Sequence, residues 1–218
     1  VETDAKASLP GFFWDIPTRL FWGKFLANPR PISFGVKEFD SFPKGTGCLF
    51  LEKKLLMDSY LKVWPEGDLS LVSDDTRLLR EIVQHQDILL DPKFHAVYKP
   101  RIDFASFLSH TFTRGTLFVD SYAGTSLMRR LIILLGALLP LVTIAFALAG
   151  LYWLVFLGVF ITVFVPMVIG AFRRASGKAL ASYLLLVIPF GILFWAGLMR
   201  GIWVHRRHFT VDRRKGSK

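Results

Sequence analysis

Residues 131–172 read LIILLGALLPLVTIAFALAGLYWLVFLGVFITVFVPMVIGAF, 42 consecutive positions without one Asp, Glu, Lys, Arg or His. A bilayer core takes about 20 apolar residues per helical crossing. The stretch is too long for one crossing and predicts two helices folded back on each other at Ala149-Gly150. A further 21 uncharged residues run from Ala179 to Met199. The chain therefore carries three apolar segments, at about 131–149, 151–172 and 180–204, and an ordinary soluble protein is excluded. Pro140, Pro166 and Pro189 fall inside these segments, where membrane helices tolerate them.

Charge is arranged around the apolar runs. Arg129 and Arg130 precede the first, and Arg173, Arg174 and Lys178 separate the second from the third. By the positive-inside rule both clusters face the cytoplasm, consistent with a hairpin. The tail from His205 to Lys218 is also basic, and a simple third crossing would place it on the opposite side, against the rule. Either the third segment is re-entrant at Pro189-Phe190-Gly191 or the rule fails at this terminus. Residues 1–128 carry 15 Lys/Arg and 16 Asp/Glu, residues 129–218 carry 12 Lys/Arg and Asp212 alone, so the net charge of +10 belongs to the membrane half. The first half has no basic stripe, which removes the compositional case for nucleic-acid binding. With 52% hydrophobic residues in 218, intrinsic disorder is excluded. The lone Cys48 excludes a disulfide framework and a multi-cysteine metal site, and reads as a small buried apolar residue. His205 and His208 stand among arginines that repel a cation, so a lipid headgroup suits them better than a metal. Three regions follow: a head (1–128), a membrane region (129–204) and a basic tail (205–218). The chain starts at Val1, and we read it as part of a longer product.

Within the head, Leu9, Phe12, Phe13, Trp14, Ile16, Leu20, Phe21, Trp22 and Phe25 crowd into the first 30 residues. They suit either the headgroup region of a bilayer or a soluble core. Residues 31–46 read as loop, Cys48 to Leu51 as a buried strand, and Lys53 to Tyr60 as a short helix. Ser73 or Asp74 caps a clear amphipathic helix with Leu78, Leu79, Ile82 and Val83 as its stripe. Ile88 to Leu90 and His95 to Tyr98 read as strands. A last amphipathic helix, about Asp103 to Val119, places Phe104, Phe107, Leu108 and Phe112 on one face, suited to lying on a bilayer surface.

The head contains an ordered series of motifs. Lys44-Gly45-Thr46-Gly47 runs into Phe50-Leu51-Glu52-Lys53-Lys54. Next come Ser73-Asp74-Asp75-Thr76-Arg77-Leu78-Leu79-Arg80, Ile88-Leu89-Leu90-Asp91-Pro92, Ala96-Val97-Tyr98-Lys99-Pro100 and Phe107 to Thr113-Arg114-Gly115. This order resembles the second half of the family 2 glycosyltransferases, membrane-linked inverting enzymes with a GT-A-type catalytic domain, over about residues 40–125. The resemblance implies an α/β fold, an incomplete GT-A-like catalytic half, followed by an all-α transmembrane region. It implies that Asp75 is the general base that takes the acceptor's proton, that Asp74 helps shape the donor site, and that Arg114 faces the nucleotide diphosphate. It matches Gly45, Thr46 and Gly47 to the acceptor loop. It further implies a nucleotide-diphosphate sugar, a lipid or lipid-linked acceptor, a divalent cation (Mg or Mn) whose ligands are not in this chain, and a plasma or inner membrane location with the head in the cytoplasm.

Departures from the family pattern narrow the expectation. Thr111 stands where processive members have Gln, and Gly115 where they have Trp, which favours transfer of one sugar over polymerisation. The family's nucleotide-binding half, with its parallel strands and Asp-x-Asp, has no counterpart here; Glu2-Thr3-Asp4 is the nearest match. As an isolated fragment the chain is expected to be inactive. Plain alternatives stand beside each assignment: Asp74 and Asp75 as helix-capping acids, Arg114 as a snorkelling surface residue, Gly45 and Gly47 as ordinary turn glycines. The alternative for the whole chain is a non-catalytic membrane anchor or scaffold subunit completed by a partner.

Overall fold

The computed structural model describes residues 2–4, 6–63, 74–99, 103–206 and 209, with the side chains of Glu2, Asp74 and Tyr98 outside the description. The described residues are mostly helical. In chain order the elements are β1 (Glu2–Thr3), α1 (Asp15–Ala27), β2 (Ile32–Phe34), α2 (Lys53–Val63), α3 (Asp74–Ile82), β3 (Ile88–Leu90), β4 (Val97–Tyr98), α4 (Phe104–Tyr122), α5 (Leu127–Leu148), α6 (Tyr152–Phe172) and α7 (Gly177–Val204). The strands form two separate pairs. β1 pairs parallel with β4, and β2 antiparallel with β3 in the register Ile32–Leu90, Ser33–Leu89, Phe34–Ile88. Among the described residues the expected α/β character is limited to these two-stranded ladders.

Two local expectations are corrected. Ile32 to Phe34 forms a strand rather than loop. Cys48 to Leu51 is not a strand: Thr46–Cys48 winds into a single 3-10 turn, Cys48 is half-buried, and Phe50 is 90% exposed. Without a neighbouring strand to accept its hydrogen bonds, a short apolar run gains nothing from extension. The amphipathic α3 performs as its stripe predicts. Leu78, Leu79, Ile82 and Val83 are buried with Phe34 and Phe39, forming a small head core completed by residues of α2 and β3.

Part of the aromatic first segment packs on the membrane half. Phe12, Phe13 and Ile16 are buried against Phe107 of α4, Val163 of α6 and Ala179, Tyr183, Leu186 and Val187 of α7. The Phe13 ring stacks on Tyr183 at 5.6 Å and meets Phe107 edge-on at 5.3 Å. Arg19 donates to the Arg173 carbonyl at 2.6 Å, and Arg173 donates back to the Leu20 carbonyl at 3.1 Å, so α1 is tied to the end of α6.

Helix α4 starts as expected: the Asp103 carboxylate accepts from the Ser106 N–H at 2.7 Å. Its buried face differs from the phenylalanine stripe. Phe107, Thr111, Gly115, Thr116 and Val119 are buried, whereas Phe104 is 50% exposed. Close approach to α7 sets this rotation. A Cβ on Gly115 would lie 2.8 Å from the Leu198 nitrogen, and one on Gly201 would lie 2.7 Å from the Thr116 carbonyl oxygen. Gly115, Gly197 and Gly201 thus form a crossing that only small residues permit, fastened by the Thr116 hydroxyl donating to the Gly197 carbonyl at 3.1 Å. Gly115→Val forces a side chain into backbone that cannot give way. It is expected to destabilise the protein by about 1–3 kcal/mol or more, read as a lowered thermal midpoint in detergent. An unchanged midpoint would contradict the crossing.

Three helices, α5, α6 and α7, are long and apolar enough to cross a membrane. Gly150, at φ +75°, closes the tight α5–α6 turn in a conformation suited to glycine. The third segment is not broken at Pro189: α7 runs as one helix from Gly177 to Val204. It leans on both arms of the hairpin. The Tyr183 hydroxyl donates to the Thr162 carbonyl of α6 at 3.0 Å, and Trp195 Nε1 donates to the Ala137 carbonyl of α5 at 2.9 Å. These two anchor points are 12 residues apart on α7, about 18 Å at 1.5 Å per residue. The corresponding stretches of α6 and α5 back to the Gly150 turn are of similar length.

Candidate functional site

The loop 44–47 and the start of α3 come together although they are distant in sequence. The Thr46 backbone N–H donates to Asp75 Oδ1 at 3.2 Å, and the Thr46 hydroxyl donates to the same oxygen. Asp75 is the second residue of α3 and is solvent-exposed. Open space surrounds the loop: a Cβ placed on Gly45 or Gly47 meets nothing within 4 Å. Gly45, with φ 174°, is simply extended. Neither glycine is demanded by a backbone turn or by a neighbour. Asp74 opens α3, and the Ser73 cap lies outside the described residues.

Arg114 occupies the exposed side of α4. Its Nε–H donates to His110 Nε2 at 2.9 Å, and its guanidinium lies 4.2 Å over the Trp14 ring. A shallow polar groove lined by Ala105, Ser106, Ser109, His110 and Thr113 runs along the same face. Thr111, by contrast, is buried and donates to the Phe107 carbonyl at 2.9 Å. Thr111 and Gly115, placed at family positions by sequence, therefore serve the α4–α7 contact. The structure brings Thr46 to Asp75 and clamps Arg114 between Trp14 and His110.

Two charged groups near this site escaped the sequence reading. Two residues beyond Asp75, Arg77 forms an ion pair with Asp120 of α4 at 3.0 Å, and His205 Nδ1 at the end of α7 lies 3.7 Å from the same carboxylate oxygen. The Asp120 side chain is 2% exposed. One clue was available: Asp120 is the single acid between Asp103 and Asp212, and a carboxylate on a packed helix face requires a partner. Arg77→Ala removes the guanidinium and leaves the buried carboxylate with His205 beside it, and is expected to cost about 1–3 kcal/mol. Thermal unfolding in detergent checks this, and a loss below about 1 kcal/mol, the worth of an exposed pair, would show that the pair is not buried. The second group gathers around Asp40, which accepts from Arg80 of α3 and Arg129 of α5 and forms a longer ion pair with Lys44.

Among the described residues no group of three or more His, Cys, Asp or Glu is placed to hold a metal ion. The residues present therefore do not fit the divalent cation that the family resemblance implies, and no step is routed through one. No protein-family model, curated protein or solved structure matches the chain.

Proposed function

We propose that this chain forms the acceptor side and membrane anchor of an inverting glycosyltransferase of the family 2 type, transferring one sugar from a nucleotide-diphosphate sugar to a lipid or lipid-linked acceptor. One observation carries the reading: a hydroxyl, that of Thr46, already donates to the Asp75 carboxylate beside an open, side-chain-free stretch of loop. An acceptor hydroxyl entering over Gly45 and Gly47 has the same bond to make. Asp75 then takes the hydroxyl proton as the oxygen attacks the anomeric carbon. The bond from that carbon to the diphosphate oxygen breaks, its electrons leaving with the nucleoside diphosphate, and the configuration inverts. A carboxylate within hydrogen-bond reach of the attacking hydroxyl suits this role. Arg114, held over the Trp14 ring, has the fork of donors that suits a departing diphosphate. Sugar transfer by Asp75→Asn, assayed in membranes containing the full-length protein, tests the assignment; wild-type turnover would overturn it.

The membrane half supports a placement with all the basic clusters on one side. His205, at the end of α7, lies beside Asp120, which is paired with Arg77 of the head. The start of α7 follows Arg173, which is tied to α1. Both ends of α7 thus sit at the head. On this reading only the α5–α6 hairpin crosses the bilayer. Helix α7, paired with α4, lies at the head-side surface, its exposed Leu184, Leu185, Ile188, Ile192 and Trp203 facing lipid. The basic tail then obeys the positive-inside rule without a re-entrant loop, and head and tail share the cytoplasmic face of a plasma or inner membrane.

The second reading is a non-catalytic anchor or scaffold subunit. It is favoured by apolar side chains left uncovered on the head, with Phe50 90%, Leu61 72% and Leu89 68% exposed. A complex that forms and functions equally well with Asp75→Asn would support it.

A further inference from the structure

We propose that Lys44, Arg80 and Arg129, gathered around Asp40, form a binding site for the phosphate group of a membrane lipid. The inference rests on the acceptor reading above and narrows it to an acceptor that carries phosphate.

Three cations share one carboxylate, an arrangement with two positive charges in excess. Asp40 Oδ1 lies 3.7 Å from Lys44 Nζ and 3.4 Å from Arg80 Nη2, and its Oδ2 accepts from Arg129 Nη2. The surplus is held in a partly dry setting. The Lys44 side chain is 9% exposed, Arg80 22% and Arg129 32%. The Phe39 ring backs Lys44 at 4.3 Å and Arg80 at 4.6 Å, and Tyr122 lies beside both guanidiniums at 5.7–5.8 Å. Burial pushes the Lys44 ammonium below the ordinary lysine range against the pull of Asp40, which marks how dry the setting is, and its Nζ also donates to the Phe39 and Phe42 carbonyls at 2.6 and 3.3 Å. Arg80 Nε is buried and has no hydrogen-bond partner among the described residues. A phosphate offers the missing negative charge and several acceptor oxygens together.

Position selects the source of that phosphate. Arg129 belongs to the first turn of α5, where the Ser126 hydroxyl accepts from its N–H at 3.3 Å. This is the end of a membrane helix that carries the arginines, the level at which lipid headgroups meet protein, and the helix N-terminus adds its own attraction for an anion. The cluster is also next to the proposed proton acceptor. Lys44 is two residues from Thr46. Arg80 is five residues from Asp75 on the same helix, about 7.5 Å along its axis. A lipid anchored here by its phosphate presents groups a few ångströms away to Asp75, while its chains remain in the bilayer beside α5.

Binding is measured with the full chain in phosphatidylcholine nanodiscs, using farnesyl phosphate, farnesol and inorganic phosphate as probes. Farnesyl phosphate is expected to bind at least about tenfold more tightly than farnesol, and Arg80→Gln and Arg129→Gln to weaken it by about tenfold each, the worth of a charge-assisted hydrogen bond. Asp40→Asn, which removes the competing carboxylate, is expected to strengthen binding, an effect that a purely structural ion pair would not produce. Arg129→Lys keeps the charge and is expected to retain most of the affinity, which separates lost binding from lost folding. Binding is read without turnover, so failure of the catalytic assignment and failure of this site are told apart. Farnesol binding as well as farnesyl phosphate, or Asp40→Asn weakening binding as the arginine variants do, would overturn the site. Inorganic phosphate binding as tightly as the lipid phosphate would overturn its assignment to a lipid.

Discussion

On the proposed reading, Asp75→Asn is expected to lower the rate of sugar transfer by about 10²–10⁴-fold, the range that a positioned general base contributes, while the protein is made and inserted at wild-type levels. The substitution is chosen for its shape. An asparagine amide oxygen can still accept from the Thr46 N–H and hydroxyl that now meet Oδ1, so the 44–47 loop stays where it is. What is lost is the capacity to take a proton. Because Asp75 is exposed at the second position of α3, its replacement does not disturb the head core around Leu79 and Ile82. The expected pattern is therefore a fall in kcat with donor KM unchanged. A fall confined to KM would assign Asp75 to binding alone.

The second large effect concerns the tail. A reporter fused after Lys218 is expected to report the same side of the membrane as one inserted in the exposed part of the head, an all-or-none result. The argument is geometric. A helix of 28 residues is about 42 Å long, enough to cross, and its composition alone would send it through the bilayer. Crossing would, however, carry Val204 and His205 to the far face, taking Asp120 and Arg77 away from the head. It would also drag α4, which follows α7 from Phe107 to Asp120, through hydrocarbon with Arg114 and His110 on its exposed side. Charged side chains at such depth are costly. Opposite-side reporters would show that α7 crosses and that its contacts to the head are rearranged in the membrane.

How far the sequence carried the fold depends on how local each signal was. The apolar runs, the start of α4 near Asp103 and the stripe of α3 are properties of neighbouring residues, and each appears where its pattern places it. Strand β2 does not announce itself, because Ile32 to Phe34 lies between Pro31 and Gly35 and owes its extension to Ile88–Leu90, more than 50 residues on. The apolar Cys48 to Leu51 misleads for the converse reason: hydrophobicity without a partner strand. On α4, the phenylalanine spacing pointed to one face, but backbone contact at Gly115 and Gly197 decided which face is buried, and periodicity carries no information about how closely two helices approach. The same distinction runs through the site. Thr46 and Asp75 were singled out by order along the chain and meet in space. Asp40 and Arg129, 89 residues apart, and the Arg77–Asp120 pair belong to surfaces that exist only once α3, α4 and the start of α5 are assembled.

The account depends on Asp75 acting as a proton acceptor rather than as a cap for α3, and chemical rescue separates the two. In membranes containing the full-length protein, Asp75→Ala is predicted to be almost silent, and added formate is predicted to restore transfer in proportion to its concentration by supplying the missing carboxylate. Asp75→Ala turning over at the wild-type rate, with or without formate, would contradict the account.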